Sequence, residues 1–206
     1  MTAKDRKVFF LYTLTIVILV SLGFSLLYIF DSKESYYIVV RFYNVIEYTI
    51  LAYFFSLHLK NKVVKKVLLF SPILFAAFCI LNFLKATTPE LPFVPLVVEY
   101  VTLLIFIVYF FFEVMQDITT EPVYQKPVFW ISAAFILNFS GNFFLFLYSK
   151  NSYNDEAFNR QYLIIYGTVT IAKNILLSIS AIIKENQSIE NGAHPFDSKL
   201  DMFHPF

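Results

Sequence analysis

Apolar residues in this chain come in long runs rather than in the alternating or every-third-position patterns of soluble strands and helices. The stretch Val8–Phe30 carries no charge, and five similar stretches follow: Tyr37–His58, Val67–Leu84, Phe93–Met115, Pro127–Tyr148 and Gln161–Ile183. A hydrocarbon core of about 30 Å needs about 20 helical residues at about 1.5 Å each. The pattern therefore predicts an all-α, polytopic bundle of six transmembrane helices over residues 1–184, with a flexible cytoplasmic tail at 185–206. Short polar connections separate the runs, among them Asp31-Ser32-Lys33-Glu34, Thr88-Pro89-Glu90 and the segment Asn151–Asn159. Pro72, Pro92 and Pro95 fall near predicted helix starts, where a missing N–H matters least, and read as boundaries rather than kinks.

Composition agrees with a lipid environment. Of 206 residues, 58% are hydrophobic and 20% aromatic, and the mean hydropathy is +0.65, beyond what a water-soluble core needs. The net charge of +1 comes from scattered basic residues with no continuous stripe to follow a nucleic-acid backbone, so nucleic acid is not an expected partner. The single cysteine, Cys79, lies in an apolar run and can build neither an intrachain disulfide nor a Cys-based metal site. Lys4, Arg6 and Lys7 ahead of the first run resemble a secretory leader. The run is too long for one and lacks a small-x-small cleavage site before Asp31, so it is read as a retained span.

Loop charges set the expected orientation. Lys4, Arg6, Lys7, Lys60, Lys62, Lys65, Lys66, Lys126, Lys184 and Lys199 fall on one side of the predicted membrane, against Lys33, Lys85, Lys150 and Arg160 on the other. The positive-inside bias then puts both termini in the cytoplasm. Trp130 reads as an anchor at that interface. The loop Lys60–Lys66 and the polar tail, in which His-Pro-Phe occurs at His194–Phe196 and again at His204–Phe206, are the candidate surfaces for a protein partner.

Against this apolar background the polar residues inside the spans carry the information: Arg41, Asn44, Glu47, Glu99, Asn138, Asn142, Lys173 and Asn174. A charged side chain at bilayer depth costs roughly 2.5–3.5 kcal/mol on insertion scales, so each needs a partner. Glu47, Asn138 and Lys173 fall near mid-span; Arg41, Asn44, Glu99 and Asn142 fall in the outer half. Arg41, Asn44 and Glu47 span about 120° of one helix face, with Tyr48 alongside, and Tyr166, Thr170 and Lys173 share a face of the sixth helix. Two ion pairs are expected, Glu47–Lys173 at the midplane and Arg41–Glu99 nearer the outside, in a polar network that either holds the bundle in register or lines a small-molecule site. With four glycines in the chain, close packing of the GxxxG kind is not expected to dominate.

No His-Glu-x-x-His, Gly-x-Ser-x-Gly or phosphate-cradling glycine loop occurs, and His58 is the one histidine in or beside a span. Neither a catalytic activity nor a cofactor is expected. A retinal Schiff base at Lys173 is disfavoured by six spans where rhodopsins have seven.

Asn44-Val45-Ile46-Glu47, Pro127-Val128-Phe129-Trp130, Ser140-Gly141-Asn142-Phe143-Phe144 and Lys173-Asn174-Ile175-Leu176 resemble small bacterial multi-pass proteins related to the membrane sensor regions that precede histidine kinases. The resemblance implies a sensory or receptor-like input module in a bacterial inner membrane, with no kinase domain after Ile183 and output through a separate partner. A proton-linked solute transporter and a structural subunit of a larger complex are the competing expectations. In bacterial cells, a fluorescent protein fused to the C-terminus is expected to fluoresce and alkaline phosphatase fused after Lys85 to be active; the reverse pattern overturns the orientation.

Overall fold

The computed structural model describes residues 3–85, 93–116, 123–152 and 156–183. It contains six long helices: α1 (Ala3–Tyr28), α2 (Lys33–His58), α3 (Lys62–Lys85), α4 (Phe93–Gln116), α5 (Pro127–Ser152) and α6 (Glu156–Ile182), with a 3-10 turn at Val123–Gln125 before α5. No strand occurs among the described residues. Each helix is long and apolar enough to cross a membrane. At 24 to 27 residues they extend about 36–40 Å, the hydrocarbon core plus part of the headgroup layers. The chain is a multi-pass integral membrane protein. The tail with its two His-Pro-Phe triplets and the Thr88-Pro89-Glu90 connection lie outside the described residues.

Most helices begin before the predicted spans, and at the α2–α3 turn the reason is local capping. The expected loop Lys60–Lys66 shrinks to Leu59–Asn61, because the Asn61 side-chain oxygen accepts the N–H groups of Val63 (2.9 Å) and Val64 (3.3 Å) and starts α3 at Lys62. Glu113, near the end of α4, accepts the backbone N–H groups of Lys60 (2.8 Å) and Asn61 (3.0 Å) and ties this turn to the bundle. The expected connection Asn151–Asn159 is likewise shortened, since α5 continues to Ser152 and α6 begins at Glu156. At the other end of the molecule Asp31 takes a left-handed conformation (φ 48°), and Ser32 N–H donates to Leu26 O (3.0 Å), which reverses the chain from α1 into α2.

Pro72 does not mark a boundary; it lies inside α3. Its missing N–H leaves the Leu68 carbonyl without the usual helix partner. The Ser71 hydroxyl fills that role, donating to Leu68 O (2.8 Å) while accepting from Tyr48 (2.9 Å). The proline break is thereby turned into an anchor for α2, reinforced by the stacking of Tyr48 on Phe75 at 4.5 Å.

Consecutive helices pack as antiparallel neighbours, and α2 also packs on α4. Asp5 of α1 meets His58 of α2 at 3.4 Å, so the start of α1, the α2–α3 turn and the end of α4 share one end of the bundle, termed the lysine-rich end. The centre is made of α2, α4 and α5, whose Phe55, Leu103, Ile107, Ile131, Phe135 and Phe139 are almost wholly buried. The outer helices α1, α3 and α6 expose long apolar faces, as lipid-facing helices do. Close packing enters at one glycine after all. A Cβ on Gly141 of α5 would sit 2.7 Å from a methyl of Val169 on α6, so Gly141→Ala is expected to destabilise the protein by about 1–3 kcal/mol. Thermal unfolding in mild detergent reads this out, and an unchanged midpoint would show that α6 is free to shift.

Candidate functional site: an intramembrane cavity

Away from the lysine-rich end, the bundle opens into a cavity of about 470 Å³. Its walls come from the last half of α1, the first half of α2, the start of α4, mid-α5 and α6 from Tyr162 to Lys173. Since α1 packs on α2 and α6 packs on α5, α1 and α6 face one another across this space. Three turns of α2 contribute a stripe at helical spacing, Tyr36, Val40, Tyr43 and Glu47, with Asn44 beside it.

Glu47 and Lys173 both line the cavity. No ion pair joins them. The Glu47 carboxylate instead accepts a hydrogen bond from Tyr12 of α1 at 2.9 Å, and the Tyr43 hydroxyl also faces it. Asn44 is 1% exposed, and neither polar atom of its side chain has a hydrogen-bond partner. Asn138 reaches the cavity from α5 and accepts a hydrogen bond from Asn142 at 3.1 Å, which leaves the Asn142 oxygen without a partner. Tyr100, Tyr162 and Tyr166 complete the polar wall, the last two stacked with ring centroids 5.8 Å apart.

The second expected pair is not formed. Both carboxylate oxygens of Glu99 are buried with no hydrogen-bond partner, and the residue has no exposed surface. The Arg41 guanidinium lies over the Phe83 ring of α3, 4.7 Å from its centroid, in a groove between α2 and α3. The cause is the helical angle: about 120° separates Arg41 from Glu47, enough to put Arg41 and Tyr48 on the α3 side and leave Asn44 and Glu47 on the cavity side. Asn174 is also not brought in; it is exposed on α6 and absent from the cavity wall.

Glu99 nevertheless sits at the level of the polar layer. The offset between α2 and α4 that sets the Phe55 ring beside Phe110 (6.3 Å) places Asn44 beside Glu99 in depth, and the Tyr100–Phe139 contact (4.8 Å) sets Asn142 within a turn of it. Three almost fully buried side chains with partnerless atoms, Asn44, Glu99 and Asn142, thus share one level, with Asn44 on the cavity lining and the other two behind it.

Tyr12, Tyr36, Tyr100, Tyr162 and the Asp5–His58 contact were not singled out by reading the chain. Tyrosines recurring on one helix face, Tyr36 and Tyr43 seven apart on α2 and Tyr162 and Tyr166 four apart on α6, were the available signal for the cavity wall. Nothing in the sequence linked Asp5 to His58. Below the cavity, toward the lysine-rich end, Tyr12, Phe135, Phe55, Phe110 and His58 form a continuous aromatic layer with successive ring centroids 5.5–6.5 Å apart. Among the described residues no group of His, Cys, Asp and Glu is placed to hold a metal ion. No protein-family model, no curated protein and no solved structure matches this chain.

A partnerless buried carboxyl weakens a fold, and an apolar group of similar volume removes that penalty. Glu99→Met is therefore expected to leave stability unchanged or raise it by up to about 2 kcal/mol. A fall of the detergent unfolding midpoint by several degrees would show that the carboxyl supports the bundle.

Proposed function

We propose that this protein is a receptor-like, sensory membrane module that takes a small ligand into the cavity and responds through the packing of its helices. The observation that carries the reading is that Glu47 and Lys173 line one cavity without an ion pair between them. Ionisable groups inside a membrane mark ligand or ion sites by default, and about 470 Å³ lies in the range of small-molecule pockets. A purely structural role would be better served by a closed pair and a filled core.

A transporter needs a route through the bundle. The aromatic layer and the Asp5–His58 contact lie across that route at the lysine-rich end, which favours a receptor with one entrance. In the orientation expected from loop charges, the cavity faces outward and the capped Lys60–Lys66 segment faces the cytoplasm, where a partner protein would read the response. A bacterial inner membrane fits that arrangement.

The test is native mass spectrometry on protein extracted from its host membrane. Wild-type protein is expected to carry a bound small molecule or lipid that the Glu47→Gln/Lys173→Met double variant lacks. An identical set of co-purifying molecules in both, with both folded, overturns the reading.

A further inference from the structure

Inside the cavity the two charges are opposite, and among the described residues neither has an ion-pair partner. A cationic ligand would neutralise Glu47 and leave Lys173 exposed to a low dielectric; an anionic ligand would do the reverse. Both residual states are unfavourable, because an isolated charge removed from water retains most of its desolvation penalty. A neutral apolar ligand would satisfy neither. We infer that the cavity binds a small zwitterion, with an ammonium group set against Glu47 and a carboxylate or phosphate set against Lys173; the inference rests on the receptor reading above and names its ligand class.

Three further features fit that ligand. Tyr12 donates to one oxygen of Glu47, Oε1, at 2.9 Å, and the Tyr43 hydroxyl also faces the carboxylate, so the carboxylate is held in place on the cavity lining. Around it stand the rings of Tyr43 and Tyr100, which also line the cavity, and aromatic faces attract ammonium groups. The Asn44 amide, buried beside Glu47 on the cavity lining with neither its oxygen nor its nitrogen hydrogen-bonded, leaves a donor and an acceptor unsatisfied next to the site. The remaining wall, including Leu19, Val20, Leu27 and Leu96, is apolar and suits an aliphatic or acyl remainder.

Two sources offer this chemistry: a free amino acid reaching the cavity from water, and the headgroup of a zwitterionic lipid entering between α1 and α6, which do not pack closely on each other. The experiment separates them. Full-length protein in nanodiscs of anionic phosphatidylglycerol is titrated calorimetrically with L-leucine, with leucine methyl ester (cation only) and with N-acetyl-leucine (anion only). In parallel, retention of phosphatidylethanolamine against phosphatidylglycerol is measured by native mass spectrometry.

For a free zwitterion, leucine is expected to bind at least about tenfold more tightly than either analogue. Lys173→Met then removes the preference over the ester, and Glu47→Gln the preference over the N-acetyl form. For a lipid source, the same variants abolish selective retention of phosphatidylethanolamine while leucine binds weakly or not at all. Binding of the three soluble probes without charge discrimination overturns the zwitterion and leaves the receptor reading standing. Absence of both leucine binding and lipid discrimination also overturns it, while the co-purification comparison decides the receptor reading independently. The analogue series on the wild-type protein gives the answer even where a variant fails to fold.

Discussion

Hydrocarbon offers a polar group no alternative partner, and the central architecture of this protein follows from how Glu47 meets that constraint. The carboxylate is held by the Tyr12 hydroxyl, which fastens α1 to α2 at the cavity floor and joins the aromatic layer through Phe135. Above this bond the helices diverge around a space lined with tyrosines and amides; below it they close on phenylalanines. The same side chain is therefore the floor of the cavity and the top of the packed core. Polar and apolar halves of the bundle meet at one hydrogen bond.

A second anchoring device operates at α3 by different means. A proline inside a transmembrane helix frees a carbonyl that lipid cannot satisfy. Here the neighbouring Ser71 answers it and in doing so presents an acceptor to Tyr48. The local defect and the tertiary contact have a common solution, and removing either hydroxyl would leave the other partner searching for a substitute in an apolar environment.

Much of this was legible in the chain, and what was not has identifiable causes. Six spans follow from length and hydropathy alone, because lipid imposes a length that the sequence must match. Their ends do not, because capping by Asn61 and the support from Glu113 depend on a contact with α4 that no local pattern records. Asn44, Glu47, Asn138, Tyr166 and Lys173 were recognisable as polar exceptions and do share the cavity. Arg41, Tyr48 and Asn174 were equally conspicuous and face elsewhere. A 120° spread on a helix is wide enough to serve two neighbours, and spacing cannot say where one ends and the other begins. Glu99 was visible as a charge, but its lack of any hydrogen-bonding partner emerges only from the assembled bundle.

The attachment of α6 gives the molecule a mechanical property. This helix is fastened along one neighbour, α5, with Gly141 against Val169 as its tightest point, while Lys173 reaches into a space whose opposite charge stands on α2. A body held along a single seam moves most readily by rotation about that seam. A molecule bridging Lys173 and Glu47 would act along that direction and draw α6 toward α1 and α2, and occupancy of the cavity would then change the angle between two helices.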